Sequence, residues 1–169
     1  MARIIFHIDV NSAFLSWTAV EQLKNGSKVD LREIPAIIGG DQSSRRGIVL
    51  AKSSLAKSYG IQTGEPVVNA FRKCPNLVTA PPNHKMYREK SRMLMGFLRT
   101  YTKKIEQVSV DECYMDFTEL VGRYPTPVDG AMEIKEEVKK RFGFTVNIGI
   151  SSNKLLAKMA SDFQKPDQI

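Results

Sequence analysis

Apolar positions crowd the start of the chain. Residues 3–10, Arg-Ile-Ile-Phe-His-Ile-Asp-Val, are mostly hydrophobic and carry an acid close to their end. That pattern predicts a buried strand with a carboxylate, Asp9, at its C-terminal end. Asn11 or Ser12 then caps a helix over 12–24, with Ala13, Trp17 and Val20 on one face and Asn25-Gly26 as its stop. Short elements follow: strands over 34–38 and 47–51, helices over 54–58 and from about 64 to 73, each bounded by Gly, Pro or Asn. The polar, basic stretch 41–46 between the two strands reads as a loop or hairpin tip. Residues 77–80 form another strand, stopped by Pro81-Pro82. Helical spacing of Tyr87, Leu94, Phe97, Leu98, Tyr101 and Ile105 predicts the longest helix over about 83–104.

Apolar alternation then switches to a period of two. Val108 and Val110 precede, and Cys113, Met115 and Phe117 follow, the adjacent acids Asp111 and Glu112, so two strands meet near an acidic pair. Pro125-Thr126-Pro127 opens a helix over 128–141 that Gly143 ends; a strand over 144–150 and a terminal helix over 151–163, capped near Ser152, complete the chain. Residues 26–76 are made of short elements and read as a small lobe inserted after the first helix. The remainder, 1–25 and 77–169, gives β–α–β–α–β–β–α–β–α. The predicted class is α+β, with helices on one face of a mainly antiparallel sheet.

Composition narrows the partners rather than the fold. The 169 residues are 42% hydrophobic, enough for a buried core, and carry a formal net charge of +7, which favours a polyanionic partner. Between Asp41 and Lys73, six basic residues stand against two acids. Cys74 and Cys113 lack metal or disulfide spacing and read as reduced thiols of a cytoplasmic protein. His7 and His84 do not make a zinc set; His7 reads as a core or edge residue. No apolar run reaches the length of a membrane span, and no signal peptide opens the chain.

Two adjacent acids at a hairpin repel each other, and a divalent cation would remove the conflict because hard cations prefer carboxylate oxygen. Asp9 brings a third acid, beside the start of a helix whose free N–H groups suit a phosphate. Each acid also has a plainer reading: a solvated turn for Asp111-Glu112, a favourable interaction with the helix dipole for Asp9.

Together Ile8-Asp9-Val10-Asn11-Ser12-Ala13-Phe14 and Ser109-Val110-Asp111-Glu112-Cys113-Tyr114-Met115-Asp116 resemble motifs of the Y-family, or translesion, DNA polymerases, within them the bacterial DNA polymerase IV and UmuC-like group. Gly60-Ile61-Gln62-Thr63-Gly64-Glu65-Pro66, Gly149-Ile150-Ser151-Ser152-Asn153-Lys154 and the ending from Ala157-Lys158 to Lys165-Pro166 fit the same family in the same order. The resemblance implies a palm domain at 1–25 and 77–169, a fingers domain at 26–76, and thumb and little-finger domains outside this chain. It implies two-metal nucleotidyl transfer from a deoxynucleoside triphosphate to a primer 3′-hydroxyl. Asp9 and Asp111 would bridge two Mg²⁺ ions (Mn²⁺ substituting), Glu112 would bind the ion at the primer oxygen, and the Val10 carbonyl would complete the nucleotide-side ion. The main-chain N–H groups of Asn11, Ser12, Ala13 and Phe14, together with Lys165, would hold the triphosphate, and Phe14 would be the steric gate against ribonucleotides. Arg45, Arg46 and Lys158 would contact DNA.

The sequence departs from the family at two places. The Tyr-x-x-Arg pair that reaches the triphosphate in many members is matched here by Ser54 and Lys57, which would take that nucleotide-binding place, keeping a charge but losing the bidentate fork. Gln168 stands where a Gly follows Lys-Pro-x. The implied partners are primer–template DNA, deoxynucleoside triphosphates and a sliding clamp reached through regions outside the chain. A monomer with weak or absent activity on its own is expected. Two alternatives stay open: a non-catalytic DNA-binding or scaffold relative, and a metal-dependent nuclease or nucleotide cyclase on a similar sheet.

Overall fold

The computed structural model describes residues 3–40, 47–163 and 166–169. It divides into two compact units, Met1–Asn11 with Arg88–Ile169, and Ser12–Tyr87. In this division helix α1 (Ala13–Lys24) and strand β4 (Val78–Ala80) group with the middle unit.

The first unit is built on a four-stranded sheet in the order β5-β6-β1-β7, antiparallel throughout. Its strands are β1 (Ile5–Val10), β5 (Ile105–Gln107), β6 (Glu112–Asp116) and β7 (Val146–Ser151). Strand β1 is central, which accounts for its near-continuous hydrophobicity. Phe6, Ile8 and Val10 point to one face, where Phe6 stacks on Phe117 with ring centroids 4.2 Å apart. Helix α5 (Pro127–Phe142) covers this face. A Cβ at Gly130 would fall 2.4 Å from Phe117 Cζ, so only glycine lets α5 approach that ring. A Thr126–Asp129 capping box starts α5, and Gly143, at φ 76°, ends it.

Helix α6 (Lys154–Phe163) adds a layer on the opposite face, so helices lie on both sides of the sheet rather than one. Gly149 makes this possible: a Cβ there would lie 1.9 Å from the Ala157 carbonyl oxygen and 2.4 Å from Ser161 N. The cap of α6 is Asn153, whose Oδ1 accepts from Leu156 N at 3.0 Å, rather than Ser152.

Helix α4 (His84–Leu98) stops earlier than its apolar spacing suggests, leaving α5, at 16 residues, the longest among the described elements. Residues 105–107 are claimed by pairing with β6, and this tertiary pairing overrides the helical pattern through Ile105.

The middle unit holds a three-stranded sheet, β3-β2-β4, from β2 (Ala36–Gly39), β3 (Val49–Lys52) and β4. Strand β4 pairs parallel to β2 and so joins this sheet, not the larger one. Helices α2 (Ser54–Ser58) and α3 (Val67–Lys73) pack on it around Ile37, Val49, Ile61 and Val67. Leu15 and Ala19 of α1 cover Ile38 and Ala80.

Candidate active site

The sheet register decides what the three acids can do together. Asp9 is the direct cross-strand partner of Glu112, and Val10 N donates to the Asp111 carbonyl at 3.0 Å. The sequence-predicted acids therefore come from adjacent strands of one unit, at one end of the β1–β6 pair. The turn before them is tied by Ser109. Its hydroxyl donates to Asp111 Oδ1 at 2.5 Å and accepts from Asp111 N and Glu112 N at 3.3 and 3.2 Å. Gln107 braces the turn by donating to Ser109 O at 2.8 Å.

Side chains on the Asp9 face of β1 meet the polar side of α6. His7, two residues before Asp9, is fully buried. Its Nε2 lies 3.1 Å from Glu112 Oε2 and its Nδ1 lies 2.6 Å from Ser161 Oγ. Lys158 Nζ donates to the same Glu112 Oε2 at 2.6 Å. One turn earlier Lys154 pairs with Glu106 of β5 and lies over the Tyr114 ring. The stripe Lys154, Lys158, Ser161 thus fastens α6 across the acidic end of the sheet.

Charges in this cluster shift one another. Burial pushes the Glu112 carboxyl up, but the Lys158 hydrogen bond and charge, with His7, outweigh it and hold the group below its usual range. The Glu112 hydrogen bond raises the Lys158 ammonium. Burial lowers His7, helped by Lys158 and opposed by Glu112 and Asp9.

Among the described residues no three His, Cys, Asp or Glu side chains are gathered as a ready cation cage. Glu112 is turned to Lys158 and His7, and Asp111 to Ser109. The donor chemistry nevertheless fits a hard divalent cation: three carboxylates at one end of a strand pair, one of which already holds a cation, the Lys158 ammonium. Lys158, read from sequence as a DNA contact, sits on this acid.

Around the start of α1 the structure changes two details. Ser12 occupies the N-cap position, but in the left-handed region at φ 45°, ψ 53°, with no side-chain cap bond. The Asn11 N–H is already donated to Thr145 O at 3.0 Å and its side-chain amide to Thr145 Oγ1 at 3.0 Å. Asn11 therefore does not offer its N–H to a phosphate, and Ser12, Ala13 and Phe14 remain candidates. Within the middle unit the half-buried Phe14 ring lies flat on Tyr87, centroids 4.4 Å apart at 8°, with His84 edge-on at 6.0 Å. Thr18 Oγ1 holds the Tyr87 hydroxyl at 3.0 Å. Ser54 and Lys57 are exposed, three residues apart on α2. Arg45, Arg46 and Lys165 lie outside the described residues.

After Pro166 the chain turns back onto β7. Asp167 takes the positive φ, 59°, and is paired by Lys135 and Lys139 at 3.2 and 3.3 Å. Gln168 pairs like an edge strand, its carbonyl accepting from Ile148 N at 3.1 Å. The left-handed residue is thus Asp167, and position 168 needs no glycine here.

Sequence reasoning missed His7 and Ser161. A signal existed for His7: its i, i+2 relation to Asp9 places both on one face of a strand.

The family model for the impB/mucB/samB family matches residues 8–162. The chain is 55% identical over 169 residues to a protein named DNA polymerase IV from Clostridium acetobutylicum, covering 100% of this chain and 42% of that one. It is 42% identical to DNA polymerase IV 1 of Bacillus subtilis, covering 98% and 38%. The chain thus spans about 40% of the length of such curated relatives. Among solved structures, DinB from Sulfolobus solfataricus superposes with a TM-score of 0.84 at 26% identity, covering 98% of this chain and 48% of that one. An insertion ternary complex of Dbh DNA polymerase matches with a TM-score of 0.82 at 26% identity and the same coverage. No helix among the described residues is long and apolar enough to cross a membrane.

Proposed function

Because this chain belongs to the impB/mucB/samB family, we propose that it forms the palm and fingers portion of a translesion-type, template-directed DNA polymerase. The observation that carries this reading is the register that sets Asp9 opposite Glu112, with Asp111 beside it, at one end of the β1–β6 pair. Antiparallel pairing gains nothing from opposed acids, whereas a divalent cation uses them. The names of the relatives support the activity.

In this reading Asp9, Asp111 and Glu112, with the Val10 carbonyl, hold Mg²⁺, and Mn²⁺ substitutes. Divalent ions held there would supply activation of the primer 3′-oxygen and charge neutralisation on the triphosphate and leaving pyrophosphate. The chain's own residues supply position and charge. Ser109 fixes the Asp111 carboxylate, and the β1–β6 register sets the spacing of Asp9 from Glu112. Phe14, its ring backed by Tyr87, excludes a 2′-hydroxyl by bulk. Free N–H groups at the start of α1, with Lys165, attract the triphosphate. Ser54 and Lys57, exposed on α2, would add a hydroxyl and a charge, with Arg45 and Arg46 as further cations for the DNA backbone. The partners are primer–template DNA and deoxynucleoside triphosphates; a sliding clamp would be reached through regions outside this chain. A cytoplasmic monomer is the state this reading assumes.

Calorimetric titration of Mn²⁺ with a deoxynucleoside triphosphate tests it directly, with Asp9→Ala and Asp111→Ala measured beside the parent chain. Binding lost in both variants supports the reading. Equal binding in all three removes these acids from the role.

A further inference from the structure

We propose that His7 is a positioning residue for Glu112: it anchors one carboxylate oxygen on the protein so that the other is presented to the catalytic cation. The inference rests on the metal-site reading above and goes beyond it.

Both protein contacts of the Glu112 carboxylate fall on Oε2, at 3.1 Å from His7 Nε2 and 2.6 Å from Lys158 Nζ, and among the described residues none falls on Oε1. The two anchors differ in kind. Lys158 is flexible, and its side chain is 42% exposed. Its ammonium has the same sign of charge as the ion it would have to tolerate. His7 has no exposure at all. Its ring is fixed by Ser161 behind it and by Tyr114, whose ring centroid lies 4.9 Å away at 53°. When a cation arrives, the ammonium is repelled and the imidazole can stay.

Proton accounting assigns the donor. The Ser161 hydroxyl has one proton and two acceptors in reach, His7 Nδ1 at 2.6 Å and the Lys158 carbonyl at 2.8 Å. A neutral ring protonated only on Nδ1 would set the Nε2 lone pair against a carboxylate oxygen. The favourable neutral form therefore accepts from Ser161 at Nδ1 and donates from Nε2 to Glu112. An imidazolium would donate to both, with Ser161 turning its proton to the Lys158 carbonyl. In either form His7 donates to Oε2, so the anchor does not depend on the ring's charge. Outer partners of this sort orient a ligand and restrict its rotamers before the metal binds.

The two amide side chains separate orientation from packing. Glutamine places its amide nitrogen near the position of Nε2 and can still donate to Glu112; asparagine reaches only as far as Nδ1, keeping the Ser161 side and losing Glu112. Mn²⁺ binding to the 169-residue chain is measured by electron paramagnetic resonance, without DNA or nucleotide, alongside thermal melting. His7→Asn should weaken Mn²⁺ about tenfold or more, while His7→Gln should stay within about threefold of the parent. If His7→Asn melts below the assay temperature, His7→Met, similar in volume and without a donor, replaces it. Parent-like affinity in the donor-less variant, or an equal loss in His7→Gln, would overturn the proposal. Asp111→Asn serves as the control on the underlying reading. Parent-like Mn²⁺ binding by that variant, or none by the parent itself, overturns the metal site and this inference with it.

Discussion

Asp9 on β1 and Glu112 on β6 are direct cross-strand partners. Their carboxylates share one face of the sheet at the end where Asp111 precedes β6. Like charges so placed oppose folding by a few tenths of a kcal/mol to about 1 kcal/mol. Asp9→Asn should therefore stabilise the metal-free chain by about 0.5 kcal/mol, or about 1–2 °C in melting temperature. The rise in melting temperature that Mn²⁺ gives the parent should vanish in the same variant. Calorimetric scans with and without Mn²⁺ read both effects, and a persisting Mn²⁺ shift would remove Asp9 from the site.

Lys158 competes with the ion for Glu112. Its Nζ is 2.6 Å from Oε2, and a half-exposed pair of this kind contributes about 0.5–1 kcal/mol. Lys158→Met should tighten Mn²⁺ binding about two- to fivefold. The gain should shrink as salt rises, since the ammonium is screened. Weaker binding in the variant would mean that the lysine supports the cation site instead.

Phe14 does not stand alone. Tyr87 lies flat beneath it, and Thr18 fixes the Tyr87 hydroxyl. Phe14→Ala should reduce the preference for deoxyribonucleotides by about tenfold or more, and Tyr87→Leu should reduce it by a smaller factor by freeing the ring. The ratio of incorporation efficiencies for matched deoxy- and ribonucleotides measures both. Unchanged sugar selection in Phe14→Ala would end the gate assignment.

Gly149 is where α6 touches β7. Its missing Cβ would overlap the Ala157 carbonyl, a backbone atom that cannot rotate away. Gly149→Ala should cost about 2–3 kcal/mol, read as a lower urea midpoint. Because α6 also carries Lys158 and Ser161, Mn²⁺ affinity should fall with it. A loss below about 0.5 kcal/mol would contradict this close packing.

Asp30 and Arg32 form a fork in the middle unit, with Nε to Oδ1 at 2.9 Å and Nη2 to Oδ2 at 2.7 Å. The Arg32 hydrogen bonds lower the Asp30 carboxyl, against a smaller upward push from burial. A lowered folded-state value means the unfolded chain takes up the proton first. The stabilisation is thus present above the ordinary value of 3.8 and is lost as pH falls through the lowered one. Asp30→Asn should cost about 1 kcal/mol near neutral pH and progressively less as pH falls below the ordinary carboxylate range. Denaturation midpoints across that acid range compare parent and variant, and a cost that does not change with pH would disprove the charge argument.

Much of the architecture was written in local pattern. The apolar run through Ile8 marked β1, Thr126-Pro127 and Gly143 bounded α5, and Ser54–Ser58 formed where expected, because caps, stops and periodicity act over a few residues. Asp9, Asp111 and Glu112 were legible as acids in revealing settings. Sequence pattern failed where long-range pairing took over. Residues 105–107 left a helical pattern to pair with β6, and β4 joined β2 rather than the larger sheet. Asn11 spent its N–H on Thr145, some 130 residues away in the chain, instead of opening a phosphate site.

What the sequence determined by itself was the set of chemical groups and the strands and helices that carry them. Which groups meet was decided only by tertiary structure. Strand register set Asp9 against Glu112, and a missing side chain at Gly149 let α6 descend far enough for Ser161 and Lys158 to reach His7 and Glu112. The physical reason is that periodicity fixes which face a residue takes, while register and helix approach depend on contacts between separate segments, whether far apart in the chain like Asp9 and Glu112 or close like Gly149 and α6.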